Sequence, residues 1–89
     1  MKNNTTTIDE FNTTPSRLLR NCLENFNSGS YLIYRFGREF LSLSEDEKIE
    51  FILLLNQTED IKNRYLSSLT ALIMASDMEF YEKYKVIIN

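Results

Sequence analysis

The chain contains one stretch that resembles a β-strand, and this feature limits most strongly the folds that it can adopt. Residues 31–36 read Tyr-Leu-Ile-Tyr-Arg-Phe, a composition that strands favour. A lone strand leaves backbone groups unpaired, and the sequence offers no second strand for a sheet. Apolar residues here also recur at helical spacing, so we expect a helix over about 31–42, with a sheet between two molecules as the alternative. The helical stripe would consist of Ile33, Phe36, Phe40 and Leu43.

Thr14 and Pro15 mark the start of the first predicted helix. The threonine hydroxyl can accept a hydrogen bond from a free backbone N–H, and proline at the first helical position loses no hydrogen bond that the helix needs. Gly29 is the residue type best suited to a left-handed C-terminal stop. We therefore expect a helix over about 15–27, preceded by a flexible polar tail over residues 1–13.

The strongest local signal is the pair Ser44 and Glu47, which has the spacing of a capping box. In this motif the hydroxyl and the carboxylate each accept a hydrogen bond from the other residue's backbone N–H. The helix predicted from this box covers residues 45–56. Its apolar residues cover most of its circumference, so we expect it at the centre of the core.

Two further helices are predicted after this central one. Thr58 can cap a helix over about 59–75, which has a clean apolar face. Ser76 and Glu79 offer another capping box, so either a fifth helix covers about 77–87 or the fourth continues through this point. The sequence leaves both possibilities open.

These segments together predict an all-α fold, a small bundle of four or five short helices in a single domain over residues 14–89. With 89 residues, 43% of them hydrophobic, the chain is long enough to form one core. A core of this size is expected to give only a small free energy of unfolding. No apolar run approaches the length that crosses a bilayer, and no secretory signal precedes the first helix. We therefore expect a cytoplasmic protein with no membrane contact.

The residue types that carry most enzyme chemistry are missing or isolated. The chain has no histidine, and its one cysteine, Cys22, lies on the apolar side of the first helix, where it is expected to be a small core residue. The acidic residues of 45–50 are explained by the positive end of a helix dipole. No metal-ligand spacing and no phosphate-binding glycine loop occurs. We expect no catalytic site, no metal and no cofactor.

Arginines and tyrosines in the first half of the chain form the preferred candidate for a binding surface. The arginines fall in two pairs at i, i+3 spacing, each of which can project from one side of a helix. Arginine and tyrosine are favoured at binding hot spots, although charges of this kind more often form only a solvated surface. The candidate residues are Arg17, Arg20, Tyr31, Tyr34, Arg35 and Arg38.

The end of the chain is unusually apolar and aromatic. Two interpretations remain open: the segment closes the core of its own chain, or it forms a seam with a second copy or another protein. The residues concerned are Phe80, Tyr81, Tyr84, Ile87 and Ile88.

By elimination, the sequence favours a small non-catalytic module that acts by occupying the surface of a partner protein, as a regulator, inhibitor or adaptor. The partner is another protein or a second copy of the chain. One alternative is a nucleic-acid-binding domain that uses the four arginines, although the net charge of −3 disfavours it. Another is a structural homo-oligomer.

Overall fold

The structure, a computed structural model, describes residues 13–88. These residues form five helices and no strand. The all-α prediction is confirmed. The predicted tail lies outside the described residues except for Thr13. The helices are α1 (Pro15–Glu24), α2 (Gly29–Tyr31, Leu32–Phe36 and Gly37–Leu41 in succession), α3 (Glu45–Asn56), α4 (Glu59–Ser76) and α5 (Met78–Ile88).

Helix α1 begins as predicted and ends earlier than predicted. The Thr14 hydroxyl accepts a hydrogen bond from the backbone N–H of Arg17 at 3.2 Å. At the other end, the Asn25 side chain donates to the carbonyl of Asn21 at 2.8 Å, so the helix closes at Glu24 and not at residue 27. The backbone N–H of Asn25 donates to the same carbonyl at 3.0 Å, so this asparagine is the C-cap and the helix ends without a glycine.

Gly29 is the first residue of α2, so its predicted role as a C-terminal stop is wrong. The residue before it, Ser28, is the N-cap of α2, and its hydroxyl accepts from the N–H of Tyr31 at 3.1 Å. The capping serine and the glycine therefore belong to the start of the second helix, which places the two helices four residues apart.

The strand-like stretch is helical, as expected, but its middle part, Leu32–Phe36, is a π-helical turn. A π turn closes hydrogen bonds over five residues in place of four, so it changes which side chains face the core. Tyr31 and Phe36 are buried, whereas Ile33 is 71% exposed. The prediction that Ile33 belongs to the buried stripe is therefore wrong, because the stripe assumed a regular α-helix.

Helix α3 starts with the predicted capping box and lies at the centre of the fold. The Ser44 N–H donates to Glu47 Oε1 at 2.9 Å, and the Glu47 N–H donates to Ser44 Oγ at 3.3 Å. Helices α1, α4 and α5 all pack against α3. Its side chains Phe51, Ile52 and Leu55 are buried at 1% exposure or less.

Two hydroxyls that were expected to cap helices point backwards along the preceding helix. Thr58 Oγ1 donates to the carbonyl of Leu54 at 2.9 Å, and Ser76 Oγ donates to the carbonyl of Leu72 at 2.7 Å. Each hydroxyl therefore donates to a carbonyl in the last turn of a helix, and both predicted side-chain caps are wrong.

Helices α4 and α5 are separate, which answers a question that the sequence left open. Asp77 has an extended backbone between them, with φ −160° and ψ 91°. Its carboxylate accepts a hydrogen bond from the N–H of Phe80 at 3.1 Å and so caps α5. The chain can then fold back, and α5 packs against both α3 and α4.

Aromatic rings fill the centre of the core among α2, α3 and α4. The ring centroids of Phe36 and Tyr65 are 4.8 Å apart, and those of Phe40 and Phe51 are 5.9 Å apart. Aromatic pairs at these separations stabilise a core beyond the area that they bury. This cluster holds the π turn of α2 against the body of the protein.

Two buried tyrosines of the core differ in hydrogen bonding. The Tyr84 hydroxyl lies 2.6 Å from Thr70 Oγ1. The Tyr65 hydroxyl is buried and has no hydrogen-bond partner among residues 13–88. A buried polar group without a partner lowers the free energy of unfolding.

We expect Tyr65→Phe to raise the free energy of unfolding by about 1 kcal/mol, because it removes an unpaired buried hydroxyl. The matched variant Tyr84→Phe should lower it by about 1 kcal/mol, because it removes the hydrogen bond between Tyr84 and Thr70, whose hydroxyl then keeps only its bond to the carbonyl of Leu66. Urea denaturation followed by circular dichroism measures both. An equal decrease of the free energy of unfolding in the two variants would contradict the conclusion that the Tyr65 hydroxyl is unpaired and the Tyr84 hydroxyl is paired.

Candidate functional site

An open cavity of about 450 Å³ lies between the C-terminal end of α1 and the first half of α2. Asn21 and Asn25 line it from the side of α1. From α2 it is lined by Ser30, Tyr31, Tyr34, Arg35 and Glu39. The two helices pack mainly on other parts of the fold, α1 on α3, so their facing ends leave this space open.

Glu39 is the buried charged residue of the cavity, with 7% of its surface exposed. Its Oε1 accepts hydrogen bonds from the Tyr31 hydroxyl at 2.7 Å and from Asn21 Nδ2 at 3.2 Å. Its Oε2 is contacted by Arg35 Nη2 at 3.5 Å. A carboxylate removed from water needs such donors, and here one oxygen has two of them and the other has one long contact.

The π turn decides how α2 contributes to the site. Tyr31 lies before the turn with its ring in the core and its hydroxyl on Glu39. Ile33 and Tyr34 lie within the turn and are 71% and 67% exposed. Single π turns inside α-helices are often found at functional sites, because they reorient a few side chains without breaking the helix.

Three of the six residues predicted as a partner-binding patch line this cavity, namely Tyr31, Tyr34 and Arg35. Tyr31 is buried and hydrogen-bonded, so it supports the site from within, whereas Tyr34 and Arg35 are exposed. The other three are exposed and do not line the cavity: Arg17, Arg20 and Arg38. The patch as a whole remains a prediction.

Sequence reasoning missed Glu39, the residue on which the site is built. Its one local signal is the i, i+4 spacing from Arg35, which is typical of a helical ion pair. Its hydrogen bond from Asn21 joins residues that are 18 positions apart, which no local pattern reveals. Asn25 and Ser30 were also missed, because polar residues at helix ends are normally explained by capping.

The cysteine close to this site is a buried core residue, as predicted. Cys22 is fully buried, and burial first, then the negative charge of Glu39, raises the pKa of its thiol to about 12. Burial and the hydrogen bond to Glu39 also raise the pKa of Tyr31. Both groups therefore stay protonated at neutral pH, and the Tyr31 hydroxyl is the donor in its hydrogen bond to Glu39.

The apolar C-terminal residues are placed largely within the core of their own chain. Phe80 and Tyr84 are buried, and three others are partly buried against the core: Tyr81, Ile87 and Ile88. A seam with a second chain on α5 would therefore have to use the outer side of the helix, where Val86 is 77% exposed. That seam remains a prediction.

Within residues 13–88, no group of three or more histidine, cysteine, aspartate or glutamate side chains is arranged to hold a metal ion. In the same range, no helix has the length and apolar character needed to cross a bilayer. Comparison of the chain with protein-family models, curated proteins and solved structures finds no significant match. The site geometry is therefore the basis for a functional proposal.

We expect Tyr31→Phe to lower the free energy of unfolding by about 1.5–3 kcal/mol, because it removes the shortest hydrogen bond to a buried carboxylate. Tyr34→Phe is the matched control, since Tyr34 is exposed; its effect should stay within about 0.5 kcal/mol. Chemical denaturation of both variants checks this. Similar effects in the two would show that the hydroxyl of Tyr31 does not support Glu39.

We expect the Cys22 thiol to react with Ellman's reagent at about pH 8 at least a thousandfold more slowly in the native protein than in urea. The thiolate is the reactive form, and the raised pKa and burial both suppress it until the protein opens. Reaction rates with and without denaturant measure the ratio. A fast reaction of the native protein would contradict the burial of Cys22.

Proposed function

We propose that the chain is a small non-catalytic protein-binding module that recognises its partner through the outer face of the π turn. This surface, here called the π-turn face, consists of Ile33, Tyr34 and Arg35 together with the adjoining cavity. A module of this kind regulates, inhibits or links other proteins by occupying part of their surface.

The observation that carries the proposal is the exposure of two consecutive large apolar side chains, of which Tyr34 lines the cavity. Ile33 and Tyr34 are 71% and 67% exposed, although the same helix buries Tyr31, Phe36 and Phe40 in the aromatic core. Single exposed apolar residues are normal on a protein surface. An adjacent pair beside an open cleft is the arrangement in which a partner side chain can be enclosed.

The residue types of the π-turn face also support a protein partner. Tyrosine and arginine are enriched among residues that dominate binding energy, because they combine a large contact area with directed hydrogen bonds. Tyr34 and Arg35 are both exposed and adjacent to a polar cavity. The face therefore offers apolar contact area at its rim and hydrogen-bonding groups within.

The chemistry of the cavity supports a binding role over a catalytic one. It presents one carboxylate, Glu39, which is held by Tyr31 and Asn21. General acid–base or nucleophilic catalysis requires a second titratable group placed against such a residue. The neighbouring phenol of Tyr31 and the thiol of Cys22 have raised pKa values, so neither serves as a base or nucleophile at neutral pH.

Nucleic acid is the less favoured partner of this face. A phosphate that approached Arg35 would also approach the carboxylate of Glu39, whose Oε2 is 3.5 Å from the guanidinium. Binding to nucleic acid through the arginines would weaken steeply with added salt. A salt titration therefore separates the two classes of partner.

The proposal is tested by selecting binders from a displayed library of random peptides against the full chain. We expect binding peptides whose affinity falls at least about tenfold with Tyr34→Ala or Ile33→Ser, since truncation of a central contact has effects of this size. The matched control is Val86→Ser, which removes an equally exposed apolar side chain on α5. Fluorescence anisotropy with labelled peptides measures the affinities.

Three outcomes would contradict the proposal. They are a library without binders, peptides that bind the Tyr34→Ala variant as well as the original chain, and peptides lost only with Val86→Ser. Light scattering of the same samples identifies self-association, because a second copy on the π-turn face would compete with the peptides and the molecular mass would rise with concentration.

A further inference from the structure

We propose that the cavity behind the π-turn face receives a basic side chain, lysine or arginine, from the partner polypeptide, and that its cation pairs with Oε2 of Glu39. The inference rests on the proposed function and specifies the chemistry of the segment that binds. It follows from how the buried carboxylate is hydrogen-bonded and from which groups surround it.

The two oxygens of Glu39 are unequally satisfied. Oε1 accepts two hydrogen bonds from groups of the fold, the hydroxyl of Tyr31 at 2.7 Å and the amide of Asn21 at 3.2 Å. Oε2 has a contact of 3.5 Å with Arg35, at the outer limit of a hydrogen bond. A carboxylate in a site of low dielectric gains most from a short bond to a cation, so Oε2 is the atom that a ligand would engage.

Arg35 occupies this position only weakly. Its side chain is 46% exposed, whereas that of Glu39 is 9% exposed, so the arginine approaches the carboxylate from solvent. This pair between residues four apart is weak because the N–O distance is long, water screens the half-exposed guanidinium, and the arginine side chain loses freedom when it is held there. A partner cation therefore displaces Arg35 at small cost.

The other groups around the cavity can accept hydrogen bonds from a cation or contact it through an aromatic ring. Asn25 already donates its Nδ2 to the carbonyl of Asn21, which leaves its amide oxygen as an acceptor. The hydroxyl of Ser30 can accept as well, and the exposed ring of Tyr34 can contact a cation through its face. The volume of about 450 Å³ lies within the range of clefts that hold small ligands.

Once a partner cation displaces Arg35, which also lines the cavity, Glu39 decides the sign of the charge at the site. The C-terminal end of α1 presents carbonyl groups, which favour a cation, and the N-terminal end of α2 presents N–H groups, which favour an anion. These two helix ends oppose one another at Asn25 and Ser30. A full negative charge on the buried carboxylate outweighs their difference, and the cavity therefore selects a cation.

The test is a titration of the full ¹⁵N-labelled chain with blocked tripeptides, followed by NMR. The probes are Ala-Lys-Ala, Ala-Arg-Ala, Ala-norleucine-Ala and Ala-Glu-Ala. The two basic peptides are expected to bind at least about tenfold more tightly than the norleucine peptide, the factor that a hydrogen bond to a charged group provides. Shifts should centre on Glu39, Tyr34 and Asn25.

Two variants separate a role in binding from a role in folding. Glu39→Gln keeps the shape of the side chain and should abolish the preference for the basic peptides. Arg35→Met removes the internal competitor and should tighten their binding about two- to fivefold, the factor that corresponds to the weak pair it replaces. Because Arg35 is exposed, this variant keeps its fold and decides the question even if Glu39→Gln unfolds.

Equal binding of the lysine and norleucine peptides, or weaker binding of basic peptides by Arg35→Met, overturns the inference. Preferential binding of Ala-Glu-Ala overturns it too, since that result identifies an anion site. Failure of the proposed function gives a different result: the affinity of the selected peptides would then not change with Tyr34→Ala. Selected peptides that need Tyr34 but no basic residue would leave the module proposal intact and refute this inference alone.

Discussion

A buried carboxylate must be supplied with hydrogen-bond donors, and in this protein that requirement links the first two helices. Glu39 lies on α2 and accepts from Asn21 on α1, although α1 packs mainly on α3. The same carboxylate accepts from Tyr31 at the other end of the π turn. One charged group thus joins α1 to α2 through polar side chains at the edge of the cavity.

Features that depend on neighbouring residues alone could be predicted from the sequence. The capping box of Ser44 and Glu47 needs only two residues three positions apart, and it is present in the structure. The absence of a second strand was sufficient to predict a helix over residues 31–42. The burial of Phe36 and Phe40 followed from helical spacing, which holds on the C-terminal side of the π turn.

The errors arose where geometry departs from a regular helix or depends on distant residues. The π turn exposes Ile33 and buries Tyr31. A pattern with 3.6 residues per turn instead places Ile33 on the same face as Phe36 and Phe40, and this caused the error. The hydroxyl of Thr58 has two competing bonds, forward to a backbone N–H or back to a carbonyl, and the sequence does not distinguish them. Glu39 has no local signal of burial, since its partner Asn21 comes from another helix.

The π turn also makes the π-turn face sensitive to chain length. A π turn holds one residue more than the α-turn that it replaces, so a single-residue deletion within Leu32–Phe36 would let α2 close as a continuous α-helix. Such a deletion would rotate Tyr31 relative to Phe36 and Glu39, and would thereby separate the carboxylate from its hydroxyl donor. Among homologous chains, a one-residue gap at this point would therefore mark members that keep the fold and lack the site, a distinction that percentage identity alone would not reveal.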